Sequence, residues 1–177
     1  MLLRRNFFGK ALVLLLPCGN LFALELDAPN PVQVSPTLVT SGQPTPAALA
    51  RLGSLGIRAV IYLAPSSAPD ANKDEPELLR RQGIEFVHIP IPFNAPQEEH
   101  FAAVSRALVG LKDKKVLVHC QVNLRASTMV FLHRVLTLHE EPAGAYEAVS
   151  RVWSPEGPWR ELVVNLLRKH QVNFQPL

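Results

Sequence analysis

Short apolar runs and amphipathic blocks take turns along the chain, and their order predicts a fold class. RAVIYL (58–63), IEFVHIPI (84–91) and KKVLVHC (114–120) are brief apolar or alternating runs rich in β-branched residues, and each reads as a strand. Between them the spacing turns helical. Leu49, Leu52 and Leu55 recur every three residues after Thr45, which can cap a helix that ends at Gly56. PELLRRQ, closed by Gly83, gives a second helix, and Phe101, Val104, Leu108 and Leu111 mark a third within 97–111. After KKVLVHC come a loop and a helix through STMVFLHRVLTLH, then helical stretches at 143–152 and 159–170. The proline-punctuated LELDAPNPVQVSPT (24–37) suits an edge strand or small hairpin, and SGQP (41–44) a turn. Strands alternating with helices predict an α/β domain, with a mainly parallel central sheet flanked by helices. Ligands of such open sheets bind at the carboxyl ends of strands, which draws attention to the loop after Cys120.

Composition changes the picture at the N-terminus. In MLLRRNFFGKALVLLLPCGNLFA, Arg4, Arg5 and Lys10 flank Phe7 and Phe8, and an apolar stretch at 11–16 leads to the small residue Ala23. That order predicts an export signal over 1–23, too short to span a bilayer, followed by a single domain over 24–177. Arg-Arg-x-Phe resembles a twin-arginine signal, which implies a folded periplasmic protein without stable membrane association after cleavage. An ordinary secretory signal and an uncleaved anchor are the alternatives. Residues 1–23 hold three of the 18 basic residues and none of the 15 acidic ones, so the remainder is balanced. The basicity therefore belongs to the signal, and no Lys/Arg-rich run with interleaved aromatics is left to suggest nucleic-acid binding. Of two cysteines only Cys120 lies beyond residue 23. A lone thiol in an oxidising compartment is either a passive buried residue or a reactive one.

VLVHCQVNLRAST (116–128) carries the chemistry that favours the second reading. Attack of a thiolate on phosphorus needs a thiol pKa well below the free value of about 8.5, as helix starts and cationic neighbours provide. It also needs donors for the phosphate oxygens and an acid for the leaving oxygen. Cys120 lies between a strand and a helix start, whose dipole favours a negative sulfur. Arg125 can add charge and a bidentate fork, and Ser127 can donate to the sulfur when it departs. Gln121, Val122, Asn123, Leu124 and Ala126 supply the backbone of the phosphate loop, and His119, expected to be buried, shapes it.

VLVHC followed by Arg and Ser resembles the signature of cysteine-dependent protein tyrosine phosphatases, especially the dual-specificity branch. SGQP with its helix, LGIRAVIYL and FVHIPI stand in the order found in a bacterial phosphatase-like family of that branch, so the resemblance spans 34–159. It implies the fold of those enzymes, hydrolysis of phosphate monoesters through a phosphocysteine, and a phosphorylated protein or small-molecule phosphate ester as substrate. Two departures stand out. The family signature puts five residues between cysteine and arginine, with glycine third after the cysteine. Here four intervene, Asn123 takes the glycine's place and Ala126 the arginine's. Asn is the best non-glycine residue for positive φ. The family's acid is an aspartate after the strand matching FVHIPI, whereas PFNAPQEEH has none and offers only Glu98 and Glu99, with His100 beside them. Those carboxylates also suit a solvated first helical turn.

Rival readings are a catalytically weak or dead phosphate-binding module, a rhodanese-type sulfurtransferase, which often has the four-residue spacing, and an inert structural cysteine. The six histidines lack metal-ligand spacing, so no metal or cofactor is expected, and His133 reads as a packed core residue. Trp153 and Trp159 read as packing for the last helix. Asp70, Asp74 and Glu75 fall in a polar loop (64–76) expected to face solvent.

Overall fold

The structure is a computed structural model that describes residues 25–176; the predicted export signal lies outside them. Five short strands form one sheet: β1 (Val32–Ser35), β2 (Leu38–Ser41), β3 (Ala59–Tyr62), β4 (Glu85–His88) and β5 (Val116–His119). Their order is β1-β2-β5-β3-β4, antiparallel between β1 and β2 and parallel elsewhere. The mainly parallel α/β sheet thus follows from the alternation of runs. β5 lies in the middle with all four residues buried, which explains its uninterrupted apolar character. Alternate residues feed opposite faces. Val116 and Val118 join the core beneath α3 (Glu98–Gly110), α4 (Leu124–Leu136), α5 (Pro142–Ser150) and α6 (Gly157–Lys169). Leu117 instead joins the core beneath α1 (Pro46–Leu49) and α2 (Glu75–Arg81).

Three elements differ from expectation. The helix foreseen from Thr45 to Gly56 breaks into α1 and a separate 3-10 turn at Leu52–Leu55, because Gly53 and Ser54 are weak helix formers and the Gly53 N–H bonds the Gln82 side chain instead. Thr45 does cap α1, with its hydroxyl accepting from the Ala48 N–H. The segment read as an edge strand or small hairpin followed by a turn is a hairpin that runs on into that turn, with its second strand, β2, ending at Ser41 and pairing with β5. Four residues leave too little alternation to mark such a strand. Finally, α4 starts at Leu124, so Arg125 and Ala126 belong to a helical first turn rather than to a loop. The helix is buried nearly all round, as fits a central helix with almost no polar face.

The parallel register sets out the site. Ser41 on β2, His119 on β5 and Tyr62 on β3 stand in one row, and His88 on β4 extends it. That row is the carboxyl edge of the sheet, and Cys120 follows it directly.

Candidate active site

Cys120 leaves β5 fully buried, its N–H bonded to the Ser41 carbonyl at 3.2 Å. The chain then turns within three residues. Asn123 makes the turn at φ 74°, the left-handed region expected of it, and stands as the N-cap of α4 without using its side chain as a cap. That side chain donates instead to the Asn30 carbonyl at 2.6 Å and to Thr40 Oγ1 at 3.1 Å, fastening the loop to the hairpin. The Asn30 amide returns a bond to the Val122 carbonyl. The first bond of α4 runs from the Ser127 N–H to the Asn123 carbonyl. The N–H groups of Leu124, Arg125 and Ala126 therefore have no backbone acceptor among the described residues, as at any helix start. Beside a cysteine, such a start is an anion cradle.

Gly42 explains why SGQP is written as it is. A Cβ there would come within 2.6 Å of the Gln121 carbonyl and 2.7 Å of Pro29. The loop rests on a backbone without a side chain, and the Gln43 N–H holds the same Gln121 carbonyl at 3.0 Å.

Arg125 is buried and committed on two sides. Its Nε donates to the Ile91 carbonyl at 3.0 Å and Nη1 to Gln121 Oε1 at 3.3 Å, leaving Nη2 without a partner among the described residues. Its guanidinium carbon lies 5.0 Å from the centre of the Phe93 ring. Ala126 is fully buried in the core, so no side chain acts from the position where the family has arginine. Ser127 is 2 % exposed, and its hydroxyl donates to the Leu124 carbonyl at a long 3.3 Å. Thr128 binds the same carbonyl at 2.9 Å.

Beneath the loop, His119 Nε2–H donates to Glu75 Oε1 at 2.7 Å, and Gln43 Nε2 donates to Glu75 Oε2 at 2.8 Å. Glu75 is 2 % exposed. Glu75 departs from the solvent-facing reading of its loop, which Asp70 and Asp74 keep: its side chain at the start of α2 turns inward because two buried donors satisfy its charge. His119 is fully buried, as expected, with its ring stacked on Tyr62 at 4.8 Å between centres and its Nδ1 without a partner among the described residues. Burial, then the charges of Asp70, Glu75 and Cys120, push Tyr62 up to about 12, against the pull of Arg125. Asp70 itself is exposed.

The carboxylates after β4 lie elsewhere. Glu98 and Glu99 occupy the exposed first turn of α3, and Glu98 pairs with Lys169 on α6 at 2.6 Å. His100 caps that helix, accepting from the Gln97 N–H at 3.0 Å. Glu98 and Glu99 line a surface cleft with Pro158 and Glu161, which no residue of the Cys120 loop enters. Between β4 and that turn stand Phe93 and, packed against it, Trp153 and Trp159, with Trp159 Nε1 donating to the Phe93 carbonyl at 2.8 Å. The two tryptophans pack the last helix and also support the ring that covers Arg125. Gly42, Gln43 and Phe93 had no role assigned from the sequence, and Glu75 was expected to face solvent. Only Gly42 carried a signal, a glycine inside a turn whose second partner was far away in sequence.

No model of a known protein family matches the chain. Solved structures do. A DUF442 candidate phosphatase from Shewanella putrefaciens CN-32 is 31% identical, with a TM-score of 0.73 over 80% of this chain and 91% of that one. Tk-PTP in its active form is 23% identical, with a TM-score of 0.63 over 82% of this chain and 99% of that one, a likeness of fold. Inositol diphosphatase DSP4 of Arabidopsis thaliana is 29% identical over 108 residues, 58% of this chain. The match spans 52% of that protein, about half its length.

Proposed function

We propose, on the premise that this chain belongs to the phosphatase-like DUF442 branch of the cysteine-dependent protein tyrosine and dual-specificity phosphatases, that it hydrolyses phosphate monoesters with Cys120 as nucleophile. The observation that carries this reading is the seating of Cys120 against the uncapped start of α4, with the Asn123 turn between them. The Cys120 thiolate attacks phosphorus; a P–S bond forms as the ester P–O bond breaks, and the departing oxygen takes a proton. The free N–H groups of the first turn and Arg125 Nη2 hold the phosphoryl oxygens. Water then attacks the phosphocysteine, releasing orthophosphate and the thiolate, to which the Ser127 hydroxyl can donate after leaving the Leu124 carbonyl. A small-molecule phosphate ester is the substrate class we favour. The inositol diphosphatase among the relatives makes inositol phosphates the first to try.

Turnover of 4-nitrophenyl phosphate, sensitive to vanadate and abolished in Cys120→Ser, is the expected result. One feature supports a second reading, a phosphate-binding module: Arg125 Nε is already held by the Ile91 carbonyl. Tight phosphate or vanadate binding without turnover would select it, and sulfur transfer from thiosulfate to cyanide would select a sulfurtransferase. We also propose that residues 1–23 direct export to the periplasm, on the strength of Arg4, Arg5 and the apolar stretch behind them. Finding the protein in the cytoplasmic fraction with its N-terminus intact would refute this.

A further inference from the structure

At the end of the sheet opposite Cys120 lies a second cleft, of about 350 Å³. Leu38 at the start of β2 and Val116 at the start of β5 form its floor, with Leu108 and Leu111 from the end of α3 as a wall. The described residues expose four large apolar side chains. Val122 belongs to the Cys120 loop and Phe93 covers Arg125, whereas Val109, 49% exposed, and Leu138, 52% exposed, stand on the rim of this cleft. Exposed apolar residues gathered on a concave surface mark a binding place rather than chance.

Two further features describe what would bind. His133 lines the cleft while only 4% exposed. Its Nδ1 meets Ser105 Oγ at 2.9 Å, and that hydroxyl meets Thr137 Oγ1 at 2.8 Å, whereas Nε2 has no partner among the described residues. That nitrogen stays open to the cleft, within reach of a ligand oxygen or a bridging water. The second feature is charge. Lys112, Lys114 and Arg134 border the cleft against one carboxylate, Glu140. Arg134 pairs with Glu140 and Lys114 with Glu85, and Lys112 has no ion pair among the described residues.

We propose that this cleft is a second ligand site, separate from the Cys120 loop, for a small amphiphile with an apolar chain and an anionic head. The chain fills the space between Leu38, Leu108 and Val116 and covers Val109 and Leu138. The head lies toward Lys112, and a head oxygen or a bridging water reaches His133 Nε2. The cleft is sized for a small molecule.

Titration of the full-length protein with decanoate below its micelle concentration, followed by calorimetry and by the ring resonances of His133, tests this, with decanol as the uncharged control. Decanoate is expected to bind once per chain, to shift His133, and to bind several-fold tighter than decanol. The exposed rim allows variants that leave the core alone. Lys112→Glu should weaken decanoate about tenfold, the scale of one charged contact, and decanol hardly at all. Leu138→Ser should weaken both, and Cys120→Ser neither. Binding that vanishes with Cys120→Ser, equal affinity for decanol and decanoate, or no binding because another segment or a second copy fills the cleft would each overturn the proposal.

Discussion

Glu75 shows how much one residue can carry. It is a carboxylate almost out of reach of water, held by Gln43 and by His119, the residue directly before Cys120. Truncating Glu75 leaves two buried donors, on His119 and Gln43, without an acceptor, at a cost of about 1–3 kcal/mol for each. Glu75→Ala should lose that much in urea denaturation, whereas Glu75→Gln, which keeps the shape and one acceptor, should lose clearly less. Equal losses would mean that the charge is immaterial and only the shape counts. Asn123 separates backbone from side chain in a similar way. Asn123→Ala loses the bonds to Asn30 and Thr40 and adds the left-handed penalty of about 1–2 kcal/mol, whereas Asn123→Gly loses the bonds alone. The alanine variant should therefore be the less stable of the two by roughly that penalty. Equal stability would show that φ 74° at this turn is unstrained for any residue.

At the scale of elements, α4 joins chemistry at its start to a buried histidine on its third turn. Burial holds His133 below its ordinary value of 6.5, with Glu140 pulling weakly the other way. The folded chain therefore binds fewer protons at this ring than the unfolded chain does. The stability tied to the neutral ring is complete above about pH 6.5 and declines as the pH falls toward the lowered folded value. Denaturation midpoints should drop between pH 7 and pH 5, and His133→Gln should flatten that part of the profile. An unchanged slope in the variant would show that other groups cause the drop. The segment between β4 and α3 matters in another way: it supplies the Ile91 carbonyl and the Phe93 ring to Arg125, but no carboxylate. A loop that elsewhere in the family brings an acid here holds the arginine.

For the whole molecule, that arrangement predicts selectivity by leaving group. Glu98 and Glu99 line a different cleft, so on the proposed mechanism an ester oxygen would depart from the Cys120 site without either of these carboxylic acids. Aryl phosphates, which leave as stable phenoxides, should be cleaved far faster than alkyl phosphates, and the gap should widen as the phenol becomes more acidic. Comparable kcat/KM values for phosphoserine and phosphotyrosine peptides would show that another group supplies the proton. Asp70, whose charge reaches Tyr62, is the first residue to replace in that event.

Local order was legible in the residues themselves. Strand runs, helical spacing and the cysteine between them set out an α/β sheet with its loop at a carboxyl edge, because period and turn chemistry are properties of neighbouring residues. Asn123 could be read the same way, since positive φ selects its residue type wherever the chain later folds. Partners distant in sequence could not. Glu75 meets His119 across 44 positions, Arg125 meets Ile91 across 34, and Asn123 meets Asn30 across 93. The strand order and the inward turn of a charged side chain depend on which segments come to lie side by side. The tertiary structure alone decided that Glu75 is buried, that Glu98 and Glu99 stand away from the loop, and that Arg125 is held by a carbonyl. Whether a polar group faces water or a partner is settled only when the sheet closes over it.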